Sequence, residues 1–148
     1  MNDENLREVY RSLQTSQDKY TYFILAATIA AIGFTITQTQ ALKLQFSLIP
    51  LGISVLSGGL SFYFGCRNRE YYNSTLYANH ELLRVQNGIH PEIGNHPQKI
   101  QAASEGIKQA INSNSDKANN LGHLQMKAFV IGAFFYLIWH ILEMYLRK

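Results

Sequence analysis

The sequence predicts an all-α polytopic membrane protein: three transmembrane helices, two or more of which extend into a cytoplasmic helical bundle or hairpin. Three observations predict it. Formal charges are absent from Tyr20–Leu42, Leu44–Cys66 and Ala128–Leu142, and each of these runs is mainly apolar. A helix needs about 20 such residues to cross about 30 Å of hydrocarbon. Between the runs, apolar residues return at steps of three and four, the period of one helix face. The basic residues are divided unevenly among the segments that the spans separate.

At 148 residues the chain is long enough for one domain. Only 16% of its residues are charged against 47% apolar, fewer charges than the usual quarter of a soluble domain. The near-neutral mean hydropathy of −0.11 conceals strong segregation along the chain. The single domain divides into a cytoplasmic amphipathic helix (1–19), three spans (20–38, 46–66 and 127–146) and a cytoplasmic helical hairpin (67–126).

In residues 1–19, Leu6, Val9, Tyr10, Leu13 and Tyr20 form a stripe at helical steps, and no Gly or Pro separates it from the first span. One helix from about Asn5 to Thr37 is expected. This run reads as a span rather than a cleavable signal, because its leader is mixed in charge and its apolar part exceeds the usual 7–15 residues. A short outer turn at 37–45 then makes the first two spans antiparallel neighbours. After the second span no breaker occurs until Asn87-Gly88, where glycine suits a helix stop. Tyr72, Leu76, Asn79 and Leu83 form a coiled-coil-like seam before it. Pro97 suits the first turn of the next helix. Its stripe runs through Ile100, Ala103, Ile107, Ile111, Asn114, Ala118 and Leu121. Ser113 and Asp116 have capping-box spacing, so a kink or short interruption is expected near 112–115.

With the N-terminus inside, ten of the 13 Lys and Arg residues are cytoplasmic; Lys43, Arg147 and Lys148 are outside. Cytoplasmic loops carry the positive excess, so an inner-membrane protein with its C-terminus outside is expected. The net charge of +3 suits anionic lipid, and no nucleic-acid partner is expected.

In the second span Ser54, Ser57, Gly58, Ser61 and Gly65 share one face, and Gly52 and Gly59 form a second row. In lipid, close backbone approach and interhelical hydrogen bonds drive packing. This ridge therefore meets another helix, within the protomer or in a second copy. Thr21, Thr28 and Thr35 recur every seven residues on the first span. Their plainer role is back-bonding to the preceding turn; the alternative is a weakly polar stripe lining a water path in a ring of subunits. His140 and Glu143 lie one turn apart near the end of the third span, beside Trp139 and Tyr145. They read as an interfacial pair, with Arg147 placed to bond Glu143. Cys66 reads as a small apolar residue, with palmitoylation or redox sensing as alternatives. Tyr71, Tyr72 and Tyr77, near Arg67 and Arg69, suit lipid headgroups.

Arg84–Gln98 is the least regular stretch. Arg84 and His90 are separated by five residues, a spacing that resembles the R-x4-6-H signature of HEPN-type ribonucleases over seven residues. The resemblance implies a helical bundle that pairs such motifs across a dimer, with Arg84 and His90 as catalytic candidates. Here the motif straddles the Asn87-Gly88 helix end instead of leading into a helix. His90 and His96, with Glu92 and His80, are weak metal-ligand candidates, and no second cluster completes a recognisable site. The plainer reading is a turn stiffened by Pro91 and Pro97 that serves as a docking tip.

No nucleophile, phosphate-loop or zinc motif is present, and no cofactor is expected. The expected function is that of a self-associating, non-enzymatic membrane effector or pore-like assembly, controlled through its cytoplasmic hairpin. A membrane scaffold or regulator docking a cytoplasmic protein partner is the alternative, and a HEPN-like ribonuclease or metal site at Arg84 and His90 is the rival class.

Overall fold

The computed structural model describes residues 3–40 and 45–146, apart from the side chains of 3–7, 9, 10 and 13. The described residues form helices joined by turns and a few irregular residues, with no strand among them. Helix α1 spans Asp3–Thr39, α2 spans Ile49–Gln86 after a 3-10 turn at Phe46–Leu48, and α3 spans Pro97–Leu146. Each contains a stretch long and apolar enough to cross a membrane. The N-terminal stripe residues Leu6, Val9, Tyr10 and Leu13, the outer-turn residues 41–44 with Lys43, and Arg147 and Lys148 lie outside the described residues or side chains.

The chain divides into two compact units, residues 1–65 with 125–148, and residues 66–124. α2 and α3 contribute to both.

In the first unit most of the surface is apolar. Only 17%, 17% and 11% of the most apolar windows of the three helices is buried within the protein. Phe23, Leu56, Phe134 and Ile141 are each more than 60% exposed or close to it (71%, 71%, 60% and 61%). A water-soluble monomer rarely shows so large an apolar surface, and all three helices are apolar enough to span a membrane. The residues buried between the helices are small or weakly polar: Thr28, Thr35, Ser61, Gly65 and Gly132, with Ile24, Leu51, Gln125 and Trp139. Close approach at small residues is how helices gain packing energy in lipid, where burial of apolar area gives little.

The second unit is a helical hairpin. Its seam is Tyr72, Leu76 and Asn79 on α2 against Ile100, Ala103, Ile107, Ile111, Asn114, Ala118 and Leu121 on α3, all half-buried or buried. Asn68 Nδ2 donates to the Ala118 carbonyl across the pair. The Arg67 guanidinium and the Lys117 ammonium both lie over the Tyr71 ring, 5.3 and 5.5 Å from its centroid, and Arg69 lies over Tyr72 at 5.0 Å.

Two expectations are corrected. The seam does not end at Leu83, which is 58% exposed; Val85 is fully buried in its place, where the chain turns back over the last turn of α2. The interruption expected near 112–115 is absent, for α3 is one helix of 50 residues. Weak propensity over a few residues is a small term beside packing along an amphipathic face, and Asn114 keeps its place in the seam.

Candidate functional site

The ridge of α2 packs inside the protomer. A Cβ placed on Gly58 would lie 3.4 Å from Ile32 Cγ1 and 3.6 Å from Thr28 Cγ2 of α1. One on Gly65 would meet Gln125 and Leu25 at 2.6 and 2.7 Å. One on Gly132 of α3 would lie 3.2 Å from the Ser54 carbonyl and 3.4 Å from Ser57 Cβ. Ser54 Oγ donates to the Gly132 carbonyl at 2.7 Å, and Ser61 Oγ donates to the Gln125 carbonyl at 3.0 Å. Ser54, Ser57, Gly58, Ser61 and Gly65 therefore hold α2 between α1 and α3. Gly52 and Gly59 differ: both are exposed, and nothing comes within 4 Å of a Cβ built on either.

The threonines of α1 face the same packing. Thr28 and Thr35 are only 2% and 6% exposed. Thr21, Thr28 and Thr35 donate to the carbonyls of Gln17, Ile24 and Ala31 at 3.0, 2.7 and 2.8 Å, one turn back. Their seven-residue spacing matches that of the buried positions of α3, where Ser104, Ala118, Gln125, Gly132 and Trp139 are buried and Ile111 half-buried. A seven-residue period is that of left-handed helix packing.

Gln125 combines a buried amide with a missing partner. It is 3% exposed and its Nε2 donates to no group among the described residues. Trp139 Nε1 is also buried without a partner among the described residues, and the indole ring lies tilted at 49° to Tyr136, with centroids 5.6 Å apart. Trp139 thus points into the helix packing, at 6% exposure, while Tyr145 is 78% exposed. His140 is exposed and Glu143 half-buried, and the structure brings them into no hydrogen bond or ion pair with each other among the described residues.

At the hairpin tip, α2 closes with a Schellman turn. Gly88 N donates to the Val85 carbonyl at 3.1 Å and Ile89 N to the Arg84 carbonyl at 3.0 Å, with Gly88 at φ 69°. This is the left-handed position that glycine occupies without a steric penalty. The turn sets Glu81 at the centre of a small charged group. Arg84 Nη1 donates to Glu81 Oε1 at 3.1 Å, His80 Nδ1 lies 3.3 Å from that oxygen, and His90 Nε2 lies 3.9 Å from Oε2. Desolvation acts to raise the Glu81 pKa, but the hydrogen bonds and charges of Arg84 and His80 together outweigh it and hold the carboxyl below its ordinary value. His90 Nδ1 accepts from the Glu92 amide at 3.3 Å, which leaves Nε2 to carry the proton in the neutral ring. His96 is exposed, and its carbonyl accepts from Ile100 N at the start of α3.

The structure thus joins Arg84 and His90 through Glu81 and leaves His96 apart. Among the described residues no three His, Cys, Asp or Glu side chains are placed to hold a metal ion. Cys66 is a half-buried free thiol. Glu81 was not singled out from the sequence, although its place one helical turn before Arg84 marks it as an ion-pair partner. Gln125 was signalled only by the seven-residue period. The chain matches no known protein family, no curated protein and no solved structure.

Proposed function

We propose that this is a multi-pass membrane protein, N-terminus inside and C-terminus outside, that self-associates in the bilayer. It acts without an enzymatic activity of its own, and the 67–126 hairpin is the part through which it is controlled. The observation that carries self-association is the outward row formed by Gly52 and Gly59. Glycine inside a helix costs about 1 kcal/mol relative to alanine. Gly58, Gly65 and Gly132 offset that cost by close contact within the protomer, whereas Gly52 and Gly59, seven residues apart on one helix, have no neighbour in the same chain to do so, nor does Gly33 of α1. A helix of a second copy supplies one.

The control reading draws on the two units being compact by themselves while α2 and α3 run without interruption through both. Effector action then works by changed helix packing rather than by a preformed opening. A path lined by Thr28 and Thr35 requires the three helices to part, since both side chains are buried between them.

The scaffold reading has one observation in its favour. Tyr77, Leu83 and Ile89 of the hairpin are 68%, 58% and 67% exposed, apolar groups that a docking protein would cover. The ribonuclease reading predicts that His90→Ala abolishes an activity and leaves insertion and particle size unchanged.

The test is particle mass in lipid nanodiscs or detergent. The wild type is expected to be oligomeric. Gly52→Leu with Gly59→Leu is expected to yield single chains of unchanged helicity. A monomeric wild type, or a chain that stays monodisperse in water without detergent, overturns the proposal.

A further inference from the structure

In the second unit, positive charge and aromatic rings gather at the end that adjoins the second span. Arg67 is the first charged residue after the uncharged run Leu44–Cys66, and Tyr71 follows one helical turn later. At 1.5 Å per residue along α2, Tyr71 lies about 8 Å beyond Cys66, within about one Debye length of a bilayer surface at physiological salt. α3 returns beside it. Lys117 Nζ lies 5.5 Å from the Tyr71 ring centroid, and Arg67 Cζ lies 5.3 Å from the same centroid. The ring attracts both cations, but the cations repel each other, and the acids nearby offset only one of them. Glu70 pairs with Arg67. Lys117 is exposed and has no ion pair among the described residues. Asp116 adjoins it in the chain, where successive helical side chains do not face each other. The Tyr71 hydroxyl accepts from Arg67 Nη2 at 3.5 Å and donates to no group among the described residues.

We propose that Arg67, Tyr71 and Lys117 bind the phosphate of an anionic lipid headgroup at the cytoplasmic face of the membrane. The inference rests on the membrane placement proposed above. The three groups suit a phosphate: an ammonium acting as a point charge, a guanidinium fork, and a phenol O–H that donates. An anion beside the ring also relieves the repulsion between the two cations. Charge and position together choose the occupant. A zwitterionic headgroup brings no net charge to offset Lys117. A nucleic acid needs a longer run of cations on one face, and here Glu70 and Asp116 intervene. Anionic lipid is already concentrated at this height, and each Lys or Arg near the surface attracts it.

The experiment is native mass spectrometry of the full chain, released from detergent micelles at about 0.15 M ammonium acetate. Phosphatidylglycerol or phosphatidylcholine with identical acyl chains is added, so that only the headgroup differs. The wild type is expected to prefer phosphatidylglycerol by about fivefold or more, the worth of one cation at the surface. Lys117→Gln is expected to abolish that preference and Lys117→Arg to keep it. Tyr71→Phe keeps the ring and removes only the O–H; it is expected to weaken the preference and leave phosphatidylcholine binding unchanged. Lys127→Gln removes an exposed cation elsewhere on α3 and is expected to leave the preference intact. Equal affinity of the wild type for the two lipids, or a wild-type preference in Lys117→Gln, overturns the site. So does an equal loss in Lys127→Gln, since diffuse attraction then explains the binding. A wild-type preference in Tyr71→Phe overturns the role of the hydroxyl. Competition by millimolar inorganic phosphate overturns the lipid as occupant and assigns the site to free phosphate. A chain that carries neither lipid and is monodisperse without detergent overturns the membrane placement instead.

Discussion

Replacing Gly132 by leucine is the sharpest probe of how α2 and α3 meet. A Cβ there lies 3.2 Å from the Ser54 carbonyl oxygen, 3.4 Å from Ser57 Cβ and 3.6 Å from the Gly58 nitrogen. Two of these are backbone atoms of α2, so the helix itself has to move. Overpacking of this kind costs about 1–3 kcal/mol. Separation of the helices also breaks the Ser54–Gly132 hydrogen bond, worth about 0.6–2 kcal/mol between membrane helices. Leucine regains up to about 1 kcal/mol of helix propensity, so the net loss is about 2–3 kcal/mol. Gly33→Leu, compared at single-chain dilution, is the control, because nothing of the same chain lies within 4 Å of its Cβ and only the propensity gain remains there. The two variants should differ by about 3 kcal/mol, more than a hundredfold in the unfolding constant. Reversible unfolding in mixed micelles, or steric trapping in bicelles, measures this. If Gly132→Leu unfolds within about 0.5 kcal/mol of Gly33→Leu, a threshold well inside the overpacking cost, α2 and α3 do not approach each other there.

Gly88→Ala meets a left-handed backbone, φ 69°, and its Cβ overlaps the Asn95 side chain; a loss of about 1–2 kcal/mol is expected, read as faster exchange of the amides at positions 88 and 89 than in the wild type. Gln125→Met removes a buried amide nitrogen that has no partner, so stability in micelles should hold or rise, whereas Gln125→Ala leaves a cavity and should lower it by about 2 kcal/mol or more. The Glu81 pKa is depressed below its ordinary 4.5, so the Glu81 contacts stabilise the hairpin tip above that pH and are lost as the pH falls through the depressed value. Amide exchange across 84–94 should show that acid step in the wild type and not in Glu81→Gln; a step unchanged in the variant assigns it to another group.

Much of the architecture was legible before any coordinates. Three uncharged runs set three apolar helices, Asn87-Gly88 set the end of α2, and Pro97 set the start of α3. These features report local physics: hydrocarbon solubility, a left-handed cap and a fixed φ. The back-bonding of Thr21, Thr28 and Thr35 was legible for the same reason, since it needs only the preceding turn.

Other features depend on which faces meet. The sequence by itself showed that a Gly/Ser ridge on the second span demands a close neighbour. Only the tertiary structure decided that α1 and α3 of the same chain are that neighbour, and that Gly52 and Gly59 are left outside. Likewise Val85 rather than Leu83 is enclosed at the tip, Glu81 gathers Arg84 and His90, and Lys117 comes to lie over the Tyr71 ring. The physical reason is common to all of these. Solvent preference and helical period are properties of one segment and can be read along it. The pairing of faces in lipid rests on ångström-scale backbone approach and interhelical hydrogen bonds, which exist only once three helices have been placed together.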